Sequence, residues 1–261
     1  MSEFESIGRP ELGRRIPLPG TYNLRDIGGY TTADGCETRW RTLFRADSLH
    51  RLPLPAQQEL LAYGVRTILD LRRDIEIERW PNVFASSPSL RYERVDLAPL
   101  GGVAEISESP LESIYRAILD HRQTEIRQAF HLLAEDNRFP VVIHCTAGKD
   151  RTGLLVALLL GLAGVDHETI AQDYALSAQY LGQPYFSEAK ERAMLANVPW
   201  ERYQLNLVCP PDYMRRTMAY LDDRYGGVEL YLRTTGLSEA DLYNLRSALV
   251  QSRTLSLVYA R

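Results

Sequence analysis

At 261 residues and 45% hydrophobic content, the chain is long enough to bury a large core and too apolar for a disordered segment. Its 30 basic and 34 acidic side chains leave a formal charge of −4, which excludes the broad basic field of a nucleic-acid binder, so attraction for an anionic ligand must be local. Three cysteines, Cys36, Cys145 and Cys209, cannot form a full set of disulfides and match no metal-ligand spacing, so neither a metal nor another cofactor is implied.

Met1 to Arg15 mixes acids and bases without the apolar stretch of a signal peptide, which points to a cytoplasmic location; export without a cleaved signal would leave no mark here. Arg9 to Pro19 is a Pro- and Gly-bearing lead-in, and Asn23 to Tyr30 is a turn-rich start. Strands are predicted near Leu43–Arg45, over Val65–Leu71 and over Leu90–Val95, with a short helix in Pro53–Tyr63. Leu111 to Ala134 has helical periodicity, its apolar face formed by Ile114, Ile118, Ile126, Phe130 and Leu133. Val141–Ile143 reads as a strand. Leu154 to Val165 is apolar but glycine-interrupted and too short to span a bilayer, so it predicts a buried helix and no stable membrane insertion. His167–Ser177 is helical. Residues 180–211, with Tyr180, Tyr185, Phe186, Trp200, Tyr203 and several prolines, predict a helical lid. Tyr213–Tyr225, Val228–Arg233 and Ser238–Ser252 close the chain as helices, the last opened by a Ser238–Asp241 capping box. Strands alternating with helices predict one three-layer α/β domain over residues 1–261, a mostly parallel sheet flanked by helices.

The chemistry concentrates in His144–Gly153, His-Cys-Thr-Ala-Gly-Lys-Asp-Arg-Thr-Gly, between an apolar strand and an apolar helix. A loop of this length can turn successive backbone N–H groups inward around a phosphate dianion, and the positive end of the following helix adds to the field. That field favours the thiolate of Cys145 as a nucleophile. Arg151 supplies a planar fork that grips two equatorial phosphoryl oxygens, which a lysine cannot reproduce. Thr146, Ala147, Gly148, Lys149 and Thr152 complete the phosphate-binding set. The Thr152 hydroxyl is expected to hydrogen-bond the Cys145 sulfur, while His144 and Gly153 support the loop. A nucleotide-binding Walker A loop is excluded, because Ile143 stands where its first glycine belongs and Asp150 where Ser or Thr belongs.

This loop resembles that of the bacterial tyrosine phosphatase-like family of cysteine-dependent Cys-x5-Arg phosphatases. The resemblance extends through Asn23-Leu-Arg-Asp-Ile-Gly-Gly-Tyr30, Leu43-Phe-Arg-Ala-Asp-Ser-Leu49, Gly64–Arg73 and Tyr225-Gly-Gly-Val-Glu-Leu-Tyr-Leu232. It implies a protein tyrosine phosphatase-like fold and phosphomonoester hydrolysis through a phosphocysteine. The substrates it implies are phosphorylated proteins or phosphoinositides. Lys149 resembles the loop lysine of phosphoinositide phosphatases.

The general acid is open among three carboxylates. Asp150 resembles the loop aspartate given that role in the family and ranks first. Asp70 follows, because it ends a strand at the edge where α/β sheets bind ligands. Asp96 is third. Trp80-Pro81-Asn82 looks like the Trp-Pro-Asp loop of ordinary tyrosine phosphatases but carries an amide in place of the acid, and is read as coincidence. Of the clustered arginines, Arg45 and Arg72 stand where strands end; the others read as a solvated face. Two other functions fit the loop: a silent phospho-ligand binding module, and arsenate reduction with Cys36 or Cys209 as resolving cysteine.

Overall fold

The computed structural model describes residues 13–100 and 111–252. The beginning of the lead-in, residues 9–12, lies outside the described residues. Five strands form the central sheet in the order β1 (Arg25–Asp26), β3 (Leu43–Ala46), β6 (Val141–His144), β4 (Thr67–Asp70), β5 (Arg91–Arg94). All pairs are parallel except the edge pair β1–β3. Alternation along the strands sends Leu43, Leu69, Val141 and Ile143 into one apolar layer, and Phe44, Ile68 and Val142 into the other. Helices cover both faces, giving the expected three layers.

Register decides where the site falls. Ala46 and Asp70 both pair with His144, so β3, β6 and β4 end level at one carboxyl edge. Asp47, Cys145 and Leu71 therefore leave the sheet side by side, where parallel α/β sheets place their ligands. Behind β6, the helix Asp150–Leu162 carries an uninterrupted buried run from Thr152 to Leu160, with Leu162 buried beyond it. An apolar surface all round suits a helix enclosed between the sheet and other helices.

Several boundaries differ from the sequence reading. The periodic stretch 111–134 is two helices, Leu111–His121 and Gln123–Ala134, parted at Arg122 (φ −117°, ψ 30°); all five predicted apolar-face residues are buried. The helix begun at His167 continues to Leu195 across a non-helical Gly182 (φ 57°, ψ −174°). Much of the segment read as a lid is thus helical, followed by a short helix Trp200–Tyr203 and a 3-10 turn Gln204–Leu207. The Ser238 capping box is present, but its helix stops at Leu249. Val250–Gln251 (β7) then pairs with Glu37–Thr38 (β2) in a second, two-stranded sheet. Among the described residues no helix is long and apolar enough to cross a membrane, and no group of three His, Cys, Asp or Glu side chains could hold a metal.

Candidate active site

A cavity of about 410 Å³ opens at the carboxyl edge of the sheet. Cys145, Thr146, Ala147, Lys149, Asp150 and Arg151 line it from the loop, joined by Glu76, Trp80, Tyr185, Arg192 and Tyr203. Gly148 and Thr152, predicted to bind phosphate, are not in its lining. Gly148 (φ 64°) turns the loop against β3, where a Cβ would collide with the Ala46 carbonyl. The Thr152 hydroxyl is fully buried and has no hydrogen-bond partner among the described residues, so the expected bond to the Cys145 sulfur is not made.

Arg151 is gripped by a residue the sequence reading missed. Its Nη1 and Nη2 donate to the Glu76 carboxylate at 2.7 and 2.9 Å, and the Thr146 hydroxyl donates to the same carboxylate. Burial opposes the charge on Glu76, but Arg151 and Thr146 hold its carboxyl down at about 2. Nη1 also reaches the Leu71 carbonyl at 3.3 Å. Glu76 sits on Asp74–Arg79, a short helix capped through the Glu76 carboxylate itself, which accepts from Arg73 N.

Asp150 keeps a place in the cavity. Lys149 Nζ donates to it at 2.6 Å, and it also accepts from the buried Tyr115 hydroxyl, whose own partner is Tyr174 at 2.7 Å. Burial and the neighbouring Asp150 push the Tyr115 hydroxyl well above its ordinary range, so it stays a donor. Lys149 does not face solvent; its Nζ donates also to the Val208 carbonyl at 3.2 Å.

The other two carboxylates fall elsewhere. Asp70 is fully buried outside the cavity lining, bound to Arg72 Nη2 at 2.7 Å and to the Tyr92 hydroxyl at 2.7 Å. Burial works against its charge, yet Arg72, helped by the Tyr92 hydroxyl, outweighs it and holds the carboxyl well below the usual range. The geometry therefore moves Asp70 from candidate acid to buried counter-ion: a group that stays ionised and enclosed has no proton to give. Asp96 is exposed and closes a turn through Ala98 N. Arg45 and Arg72 are each buried to 1% exposure, as their positions at strand ends suggested.

His144 is wholly enclosed and supports the loop. Phe84 N donates to Asn82 Oδ1, which leaves Asn82 Nδ2 to donate to His144 Nε2 at 2.8 Å. Nδ1–H then donates to the Cys145 carbonyl at 3.2 Å. Burial pushes the imidazole toward its neutral form against the pull of Asp70. Asn82 thus has a buried structural task, while Trp80 of the same tripeptide lines the cavity. Gly153 packs close to Tyr174 and Arg45. Among the described residues all three cysteines are free; Cys209 donates to the Tyr174 carbonyl, and burial pushes its thiol up.

A Cys-x5-Arg loop at the carboxyl edge of a mostly parallel sheet, backed by a buried helix, defines an α/β protein of the tyrosine phosphatase type. A profile of the tyrosine phosphatase family matches residues 16–251, and the chain belongs to that family. A tyrosine-protein phosphatase of Nostoc commune is 33% identical, over 80% of this chain and 74% of its own. The triple specificity protein phosphatase PtpB of Mycobacterium tuberculosis is 28% identical, over 89% of this chain and 98% of its own. A solved structure of P. aeruginosa TpbA, 17% identical, covers 66% of this chain and 89% of its own with a TM-score of 0.30.

Proposed function

We propose that the protein hydrolyses phosphomonoesters, phosphotyrosine in proteins foremost, through a phosphocysteine intermediate, as one phosphatase domain with residues 180–211 as its lid. The observation that carries this reading is the convergence of Cys145, Asp150 and Arg151 on one cavity at a helix N-terminus. In the first step the Cys145 sulfur attacks phosphorus in line and the ester P–O bond breaks. Asp150, whose donors Lys149 and Tyr115 both bind Oδ1, enters the step protonated on Oδ2 and gives that proton to the departing oxygen. Water then attacks the phosphocysteine, passing a proton to Asp150 as the P–S bond breaks and the thiolate leaves. Arg151 and the inward amides hold the equatorial oxygens throughout. The fork reaches the phosphoryl group by exchange with Glu76, whose two oxygens occupy the donors meanwhile.

Tyr185, Tyr203 and Trp80 in the walls suit an aryl phosphate. Phosphoinositides are the second substrate class, favoured by the extra cations Arg73, Arg79 and Arg192 in the same lining. Lys149 enters this reading indirectly, since its ammonium is already held by Asp150 and Val208. Arsenate reduction is disfavoured: burial raises the Cys209 thiol, and desolvation with the neighbouring Asp34 carboxylate raises that of Cys36, so both candidates are short of the thiolate a resolving cysteine needs.

Phosphate release by wild-type and Cys145→Ser protein, on a phosphotyrosine peptide, a phosphothreonine peptide and a phosphoinositide panel, tests the reading. Turnover by wild type and none by the variant is expected. Wild-type protein that binds these compounds without hydrolysing them overturns catalysis in favour of the binding module.

A further inference from the structure

We infer that Asn23 and Arg45, with Asp173 as their buried counter-charge, are positioning residues that hold the phosphate loop open by its outer edge. The inference deepens the proposed phosphatase function and rests on it.

Five successive loop carbonyls each accept a hydrogen bond, the first from the adjacent His144 and the other four from donors outside the loop. The Cys145 carbonyl accepts from His144 Nδ1 and the Thr146 carbonyl from Ser48 N at 3.1 Å. The Ala147 carbonyl accepts from Asn23 Nδ2 at 3.0 Å, and the Gly148 carbonyl from Asn23 Nδ2 at 3.1 Å and Arg45 Nη2 at 2.8 Å. The Lys149 carbonyl accepts from Arg45 Nη2 at 3.2 Å and from Gly153 N at 2.8 Å. In a planar trans peptide the C=O of one residue and the N–H of the next point in opposite directions. Pinning carbonyls 145–149 outward therefore turns the amides of residues 146–150 inward, toward the cavity that Cys145 shares. The anion nest is set by its outer face before any anion arrives.

Two of these donors come from segments whose role was otherwise unassigned. Asn23 belongs to the turn-rich start and is itself anchored, since its backbone N–H and that of Tyr22 both donate to Asp47 Oδ1 at 2.9 Å. Arg45, on β3, is fully buried, and a buried guanidinium needs a counter-ion. Asp173 on the His167–Leu195 helix supplies it at 2.6 Å, and is shared with Arg25 Nε at 3.0 Å and the Tyr30 hydroxyl at 3.0 Å. Burial alone would neutralise Asp173, but Arg25 and Arg45 hold it ionised. Arg25 in turn donates to the Asn23 side-chain oxygen, which leaves the Asn23 amide hydrogens facing the loop. With Arg25 linking Asn23 to Asp173, the four side chains form one circuit closed through the Gly148 carbonyl.

The test compares wild type with Asn23→Ala, Asn23→Asp and Arg45→Lys, measuring kcat, KM, competitive inhibition by vanadate, and thermal midpoint. Losing the Asn23 amide frees the Ala147 carbonyl and leaves that of Gly148 on Arg45 alone, which should let the loop peptides rotate, weakening vanadate inhibition about tenfold or more and lowering kcat in step. Asn23→Asp, which places an acceptor against those carbonyls, should be worse than Asn23→Ala. If Arg45→Lys fails to fold, the Asn23 pair still decides the matter. Variants that only lose thermal stability, with kcat, KM and vanadate inhibition unchanged per folded molecule, would overturn the inference and leave Asn23 as packing. Wild-type protein without turnover would instead defeat the phosphatase reading on which it stands.

Discussion

The floor and the roof of the cavity are built to different standards. The floor is the phosphate loop and the helix behind it, whose side chains from Leu154 to Leu160 all join the main apolar core. The roof is the stretch beyond Gly182. It rests on a separate cluster of five buried residues, Ala147, Leu181, Tyr185, Ala189 and Leu207, and leaves Met194, Leu195 and Leu205 more than half exposed. A small satellite cluster opens at lower free energy than a continuous core, so the two walls should respond separately to mutation. Under the proposed mechanism this is a division of labour, with chemistry placed in the stiff wall and access and fit in the weaker one.

The largest effect expected is chemical and confined to the floor. Asp150→Asn should lower kcat by roughly 10²–10⁴ on a phosphotyrosine peptide, and far less on an aryl phosphate whose phenol is acidic enough to leave unaided. Equal losses on both substrates would remove Asp150 as the proton donor. Next comes packing. Leu158→Ala should cost about 2–5 kcal/mol in a denaturant titration. Leu181→Ala should shift that titration less and instead hasten proteolytic cleavage near Gly182. Equal global destabilisation by both would merge the two walls into one cooperative unit.

The smallest effect is on pH. Burial and the cations Arg51, Arg72 and Arg192 push His50 down from 6.5 to about 4, and burial lowers His144 as well. Both imidazoles accept a proton more readily unfolded than folded. Their contribution to stability is therefore present above pH 6.5 and lost as pH falls from 6.5 toward 4. His50 borders a second cavity beside the roof residues Arg192 and Leu195, whereas His144 lies under the loop. The thermal midpoint should decline through that window, and His50→Gln should flatten only part of the decline. An unchanged profile in the variant would leave His144 as the source.

Legibility in the sequence followed locality. The loop was readable because Cys145, Arg151 and the glycine between them lie within one turn. The strands at Leu43, Thr67 and Val141 were readable because short apolar runs bounded by polar residues have few other outcomes. The two-residue strands at Arg25, Glu37 and Val250 were not, since their pairing depends on distant partners rather than local composition. The helical character of 180–211 was readable, but not its continuity with the helix begun at His167, which resumes beyond the kink at Gly182 because Tyr185 and Ala189 have a surface to bury against. Asp70 was misread for a related reason. Its place at the carboxyl edge was correct and Arg72 lies only two residues on, but only the fold brings Tyr92 and His144 around it. Glu76 gave no signal at all, being one acid among several on a charged helix.

The circuit behind the loop also bears on how the protein is made. Its members come from positions 23, 25, 45, 148 and 173, so the proposed nucleophile and its clamp are translated before the counter-ion that steadies the loop. A ribosome that has delivered residue 160 has produced Cys145 and Arg151 but left Arg25 and Arg45 without Asp173. The reactive centre is completed late, by contacts of long sequence separation, and a prematurely terminated product carries the signature loop without the frame that shapes it.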